Sequence, residues 1–304
     1  MDLDTLMVAT YCLVDDALKA EVGVPLRGRG PAPALADAEV LTIEVVGEFL
    51  GLDQDKAIFR HFRRHYGEWF PALRRVRRVR RTTFARQAAN LWVVKERLWR
   101  AFAARLPHDP EISLVDSFPL PVCRFARAHR CRLYAGQAAF GHDEVARQTY
   151  YGFRCHVRLA WPGGVIEVGL APANVSDLAA LPSLAAGAAG YLVGDRNSWS
   201  PELTGQLREA GLCLLAPDRW ATRDPDPVRS RSLSRARDPW HLASRLLRKV
   251  LGHTAALLIN AQAGNPPRQL ARLLALNPHT GLLISPGPAV RAVSSMRARG
   301  ESRA

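Results

Sequence analysis

The chain has 304 residues, of which 42 are lysine or arginine and 28 aspartate or glutamate, for a formal charge of +14. That length suits one large or two ordinary domains, and a composition 48% hydrophobic and 23% charged excludes a disordered or fibrous chain. No apolar run approaches the ~20 residues of a bilayer span. Asp2 and Asp4 stand where a secretory leader would be basic, so cytoplasmic residence away from membranes is the expectation.

Residues 1–106 read as a helical DNA-binding domain. Asp37 is placed to cap a helix with Leu41, Val45 and Phe49 on one face, and a second helix carries Ile58, Phe62 and Tyr66, with Arg60, Arg63 and Arg64 on its other faces. Between Arg60 and Arg81 stand nine arginines against one acid, Glu68. Six of them, Arg74, Arg75, Arg77, Arg78, Arg80 and Arg81, fall within eight residues and repel unless a polyanion neutralises them. Forked guanidinium contacts to phosphate make double-stranded DNA the expected partner. Thr82 and Thr83 then cap one long helix through Leu106 that buries Phe84, Ala88, Leu91, Leu98 and Phe102.

After Pro107 the period changes to that of strands, and residues 107–264 read as an α/β domain with mixed strand directions. Ile112 to Val115 is a short buried strand ending in Asp116. Phe153, Cys155, Val157, Leu159 and Trp161 alternate with Arg154, His156, Arg158 and Ala160, the pattern of a half-buried strand; its polar face offers Arg154, His156 and Arg158 to DNA phosphates or to solvent. Pro162-Gly163-Gly164 turns into a second strand, Val165 to Leu170. A short helical segment capped within Asn174 to Asp177 breaks near Pro182, and Gly190 to Gly194 is a strand delivering Asp195. A helix from Pro201, a strand at Leu212 to Leu215 and a final helix from Pro239 to about Ala263 complete the order. The segment 265–304, rich in Pro, Gly, Ser and Arg, reads as a loosely ordered tail. The five cysteines are odd in number and lack a Cys-x-x-Cys pair, so they are expected as reduced core thiols; Cys123, His129, Cys131 and His156 match no standard zinc spacing.

Two carboxylates at the ends of apolar strands carry the chemistry. If the strands of Asp116 and Asp195 are neighbours, the side chains converge and repel unless a hard divalent cation lies between them. At these residues the sequence resembles DDE transposases of bacterial insertion sequences: Val115-Asp116-Ser117-Phe118-Pro119-Leu120-Pro121-Val122-Cys123, Tyr151-Gly152-Phe153-Arg154-Cys155-His156, Pro172-Ala173-Asn174-Val175-Ser176-Asp177 and Gly194-Asp195-Arg196 are similar to successive blocks of that family. The resemblance implies an RNase H-like catalytic domain in which three acids bind two divalent metals, Mg²⁺ or Mn²⁺, with Asp116 and Asp195 as the first two. It also implies terminal inverted repeats as the DNA partner and a homo-oligomer assembled on them.

The third acid departs from the family pattern. Beyond Asp195 stand Glu202, Glu209, Asp218, Asp224, Asp226, Asp238 and Glu301, none in the expected helical motif, and the helix after Pro239 holds no acid. An impaired transposase is therefore the expectation, with a non-catalytic DNA-binding remnant or regulator of transposition as the rival and a metal-dependent nuclease or phosphatase as a third reading. The segment Arg219 to Lys249, with nine basic residues against three acids, is a second candidate DNA contact.

Overall fold

A computed structural model describes residues 1–22, 32–74, 79–143, 146–217, 239–265 and 270. The first part is helical: α1 (Leu3–Glu21), α2 (Asp37–Phe49), α3 (Asp55–His65), the short α4 (Pro71–Arg74), α5 (Arg81–Asn90) and α6 (Trp92–Arg105). Leu6, Leu41, Ile58, Phe62, Phe84, Leu98 and Phe102 are buried in one cluster, each such side chain contributing about 1.5–3 kcal/mol. The final helix α9 (Pro239–Gln262) buries Leu251, Ala255 and Leu258 in this same cluster.

Two expectations here are corrected. Asp37 is the first helical residue rather than the cap; the backbone N–H of Ala36 donates instead to Glu39 at 2.8 Å, and Asp37 accepts from Gln87 at 2.8 Å. The long helix through Leu106 is interrupted at Leu91. The carbonyl of Ala88, which a continuous helix would offer to Trp92, accepts from the Lys95 ammonium at 2.9 Å and the Ser244 hydroxyl at 3.1 Å, so α9 supplies part of what the break gives up.

Charge pairs across α2, α3, α6 and α9 lie inside the helical core. Lys95 Nζ is 2.6 Å from Glu44 Oε2 with both side chains sealed from solvent. Arg248 pairs with Glu48, meets Asp55 at 2.8 Å and donates to the Asp53 carbonyl at 3.0 Å. Arg245 meets Asp55 at 2.9 Å, and Lys249 meets Glu48 at 2.9 Å and Asp53 at 2.7 Å. These three cations of the second basic segment are thus taken up by acids of this chain; Arg219 to Arg237 lie outside the described residues.

The second part is a mixed sheet of β1 (Asp109–Pro121), β2 (Ala139–Asp143), β3 (Gln148–Trp161), β4 (Gly164–Pro172), β5 (Gly190–Val193) and β6 (Leu212–Leu215), with α7 (Asp177–Ala185) and α8 (Pro201–Glu209) between the later strands. β3 pairs antiparallel with β1 on one side and with β2 and β4 on the other, while β1, β5 and β6 run parallel. With β2 set aside, the order β4-β3-β1-β5-β6 is RNase H-like. The parallel pairs demand crossover connections, which α7 and α8 supply. Three further corrections concern these elements: β1 does not end at Asp116 but continues to Pro121 along β3, α7 runs through Pro182 with Ser176 as its cap, and β2 is an added strand. Among the cysteines only Cys155 is buried, and Cys12 is exposed. No helix among the described residues is long and apolar enough to cross a membrane.

Candidate functional site

Asp116 and Asp195 are brought together by register. The parallel pairing of β1 with β5 ends at Leu114 opposite Val193, so each aspartate stands two residues past that pair on adjacent chain segments, near enough for the charge of Asp195 to act on Asp116. Both are exposed. Asp195 leaves β5 in extended conformation and caps a short 3-10 turn. Its Oδ1 accepts from the Asn197 N–H at 3.1 Å, the Ser198 N–H at 3.1 Å and the Ser198 hydroxyl at 2.9 Å, and its Oδ2 from the Asn197 amide at 3.1 Å. Gly194 permits this fold-back, because a Cβ there would sit 2.7 Å from Ser198 Cβ.

Asp116 Oδ1 accepts from the Ser117 N–H at 2.7 Å. Burial raises its pKa above the ordinary aspartate value, the Ser117 bond opposes this, and the negative charges of Asp195 and Asp177 push it further up. Such a corner of mutually repelling carboxylates is suited to a cation.

The strand alternation predicts a solvated polar face on β3, and the structure overturns that. Ser117 pairs across the sheet with His156, and α7 covers this face. His156 and Arg158 are 2% and 7% exposed. His156 Nδ1 lies 3.2 Å from Asp177 Oδ1, Arg154 lies 3.4 Å from Asp177 Oδ2 and donates to the His142 carbonyl at 3.1 Å, and Arg158 donates to the Ala186 carbonyl at 3.1 Å. In this arrangement His156 and Arg158 offer no surface to a phosphate. Burial pushes the Asp177 carboxyl up, but His156, the nearby Ser117 and Arg154 outweigh it and hold the carboxyl below the ordinary range. Ser117 and Asp177 both adjoin Asp116, Ser117 through its backbone N–H and Asp177 through its charge; in the sequence Asp177 marks only a helix start.

Residues 108–227 match the family model of the transposase DDE domain. The segment carrying both aspartates thus matches the DDE transposase family. A solved piggyBac transposase synaptic complex with hairpin DNA is similar with a TM-score of 0.44 and 9% identity, over 89% of this chain and 78% of that one. No curated protein matches the chain.

In this DDE segment and the helices before it, the remaining expected residues fall as follows. Arg74, Arg80 and Arg81 are exposed, with Arg74 3.6 Å from Glu68; Arg75, Arg77 and Arg78 lie outside the described residues. Burial, together with the neighbouring Cys131, raises the Cys123 thiol to about 11. Among the described residues no group of three or more His, Cys, Asp or Glu could hold a metal ion.

Proposed function

We propose that this chain is a DNA transposase in which Asp116 and Asp195 hold a divalent cation, Mg²⁺ or Mn²⁺, at one corner of the sheet, with double-stranded DNA bearing terminal inverted repeats as substrate and a homo-oligomer as the working form. The observation that carries the reading is the register that sets the two aspartates side by side in a segment matching the DDE family. We read residues 1–106 as the DNA-binding part, 107–264 as the catalytic part and 265–304 as a tail.

The donor set fits a hard cation. Both ligands are carboxylates, and Asp195 Oδ2 keeps lone-pair capacity beside its single Asn197 contact. A bound divalent ion supplies polarisation of a phosphoryl oxygen and a more acidic water or 3′-hydroxyl. The protein's own residues do the positioning: Asn197 and Ser198 lock the Asp195 carboxylate, and the Ser117 N–H orients Asp116.

A second reading, a non-catalytic DNA-binding derivative that occupies element ends, is favoured by one observation. Among the described residues no third carboxylate completes a metal-holding group with the first two; Asp218, Asp224, Asp226 and Asp238 lie outside the described residues. We propose on this ground that cleavage and joining are impaired. A magnesium-dependent strand-transfer assay on a terminal-repeat substrate, with wild type and Asp116→Ala, decides. Weak activity lost in the variant supports the impaired enzyme, identical behaviour of the two supports the binder, and robust turnover sinks the impairment.

A further inference from the structure

We propose that a basic groove between α3 and α5, lined by Lys56, Phe59, Arg60, Arg63, Arg64 and Arg81, is the seat of a duplex-DNA backbone. The groove encloses about 480 Å³ and lies outside the Asp116 corner. The proposal rests on the DNA reading above and deepens it, moving the contact from the arginine run alone to a built surface.

The helix geometry makes the groove. Within α3, Lys56, Arg60, Arg63 and Arg64 fall at i, i+4, i+7 and i+8, a single stripe covering about 12 Å of helix axis. At about 3.4 Å of rise per phosphate along one strand, that stripe spans some three to four phosphates. The opposite stripe buries Ile58 and Phe62, and Phe59, also buried, lies between the two stripes at the floor of the groove. Phe59 packs on Phe84 of α5 with ring centroids 5.7 Å apart, which fixes the two helices as walls and sets Arg81, three residues before Phe84, on the opposite rim.

Charge pairing separates these cations from the rest of the helical part. Arg245, Arg248 and Lys249 are each met by an acid of α2, α3 or the turn between them. Lys56, Arg60, Arg63, Arg64 and Arg81 are all exposed, and among the described residues none of them has an acidic partner. Asp55, the acid at the start of the same helix, is committed to Arg245 and Arg248. Five like charges held in one concavity without compensation repel one another, and a row of phosphates relieves that repulsion. Guanidinium forks bind phosphate oxygens bidentately, and Phe59, buried against Phe84, is not free to stack on a base. Phosphate contacts of this kind give affinity and register without sequence choice.

The test measures binding of a fluorescent duplex of arbitrary sequence across a salt series, using the full chain. Arg60→Ala/Arg63→Ala/Arg64→Ala is compared with Arg97→Ala/Arg105→Ala/Arg208→Ala, which removes the same charge from exposed positions elsewhere. The groove variant is expected to lose at least about tenfold in affinity near 0.1 M salt and to lower the slope of log K against log salt by about 2–3, with the control close to wild type and both variants keeping wild-type thermal unfolding. Equal loss in the two triple variants, or no duplex binding by wild type, overturns the proposal. A strand-cleavage assay of the wild type run alongside separates it from the catalytic reading. A wild-type protein that binds through the groove yet never cleaves ends the catalytic reading alone.

Discussion

His156 Nδ1 lies 3.2 Å from Asp177 Oδ1 beneath α7, with His156 2% and Asp177 13% exposed at the side chain. Asp177 is thus the acid to which the buried His156 and the half-buried Arg154 of β3 are tied. Asp177→Ala leaves Arg154 and His156 without that partner and is expected to cost about 1–3 kcal/mol at pH 7 in urea unfolding. The Asp177 carboxyl sits below its unfolded value of 3.8, so its contribution is present above that pH and is lost as pH falls through the folded pKa. The gap between wild type and variant should therefore close in acid; a gap that persists unchanged at pH 2 contradicts the assignment.

The sign is opposite at Asp116. Burial and the charges of Asp195 and Asp177 raise its pKa in the folded chain, so the native state binds the extra proton and stability falls as pH rises from 3.8 through the folded value. Asp116→Asn is expected to stabilise the protein at pH 7 by no more than about 1 kcal/mol after solvent screening, and to have no effect below pH 3.8. Added Mg²⁺ or Mn²⁺ should raise the melting temperature of wild type and not of the variant, read by differential scanning calorimetry.

Gly194→Ala tests the Asp195 turn without touching a carboxylate. The new Cβ would meet Ser198 Cβ at 2.7 Å and Oγ at 2.8 Å, pushing Ser198 off the Asp195 carboxylate. A cost of about 1–3 kcal/mol from overpacking and loss of the cation-induced thermal shift are expected together. A variant with wild-type cation response shows that the turn does not position Asp195.

Lys95→Met probes the sealed pair. Burial lowers the Lys95 pKa and Glu44 raises it, and removal of the ammonium strands Glu44 Oε2, 2.6 Å away, in an apolar core. A loss of about 3–5 kcal/mol in denaturant is expected. Glu44→Gln in the same chain should recover part of it, because Arg248, 3.6 Å from Glu44, keeps Glu48 and Asp55.

Local pattern alone was enough for the helices around Leu41, Ile58 and Phe84, for the strand carrying Cys155 and Val157, and for Asp195 just past the end of its strand, whereas Asp116 lies within β1, which runs on to Pro121 along β3. Those features repeat at 3.6 or 2 residues and need no partner to be read. The interruption at Leu91 is different in kind, since it depends on Ser244, 156 residues away, reaching the Ala88 carbonyl.

An α/β part behind a basic helical part, and two acids placed to meet, are legible in the residues alone. It takes packing to show that His156 and Arg158 are covered, that the Asp177 charge acts on Asp116, that Arg245, Arg248 and Lys249 are spent on internal pairs, and that Lys56, Arg60, Arg63, Arg64 and Arg81 share a groove. Alternation along a strand says that its two faces differ but not what packs on either. A basic residue's availability likewise depends on acids brought close from elsewhere in the chain, as with Glu48 and Arg248, separated by 200 residues.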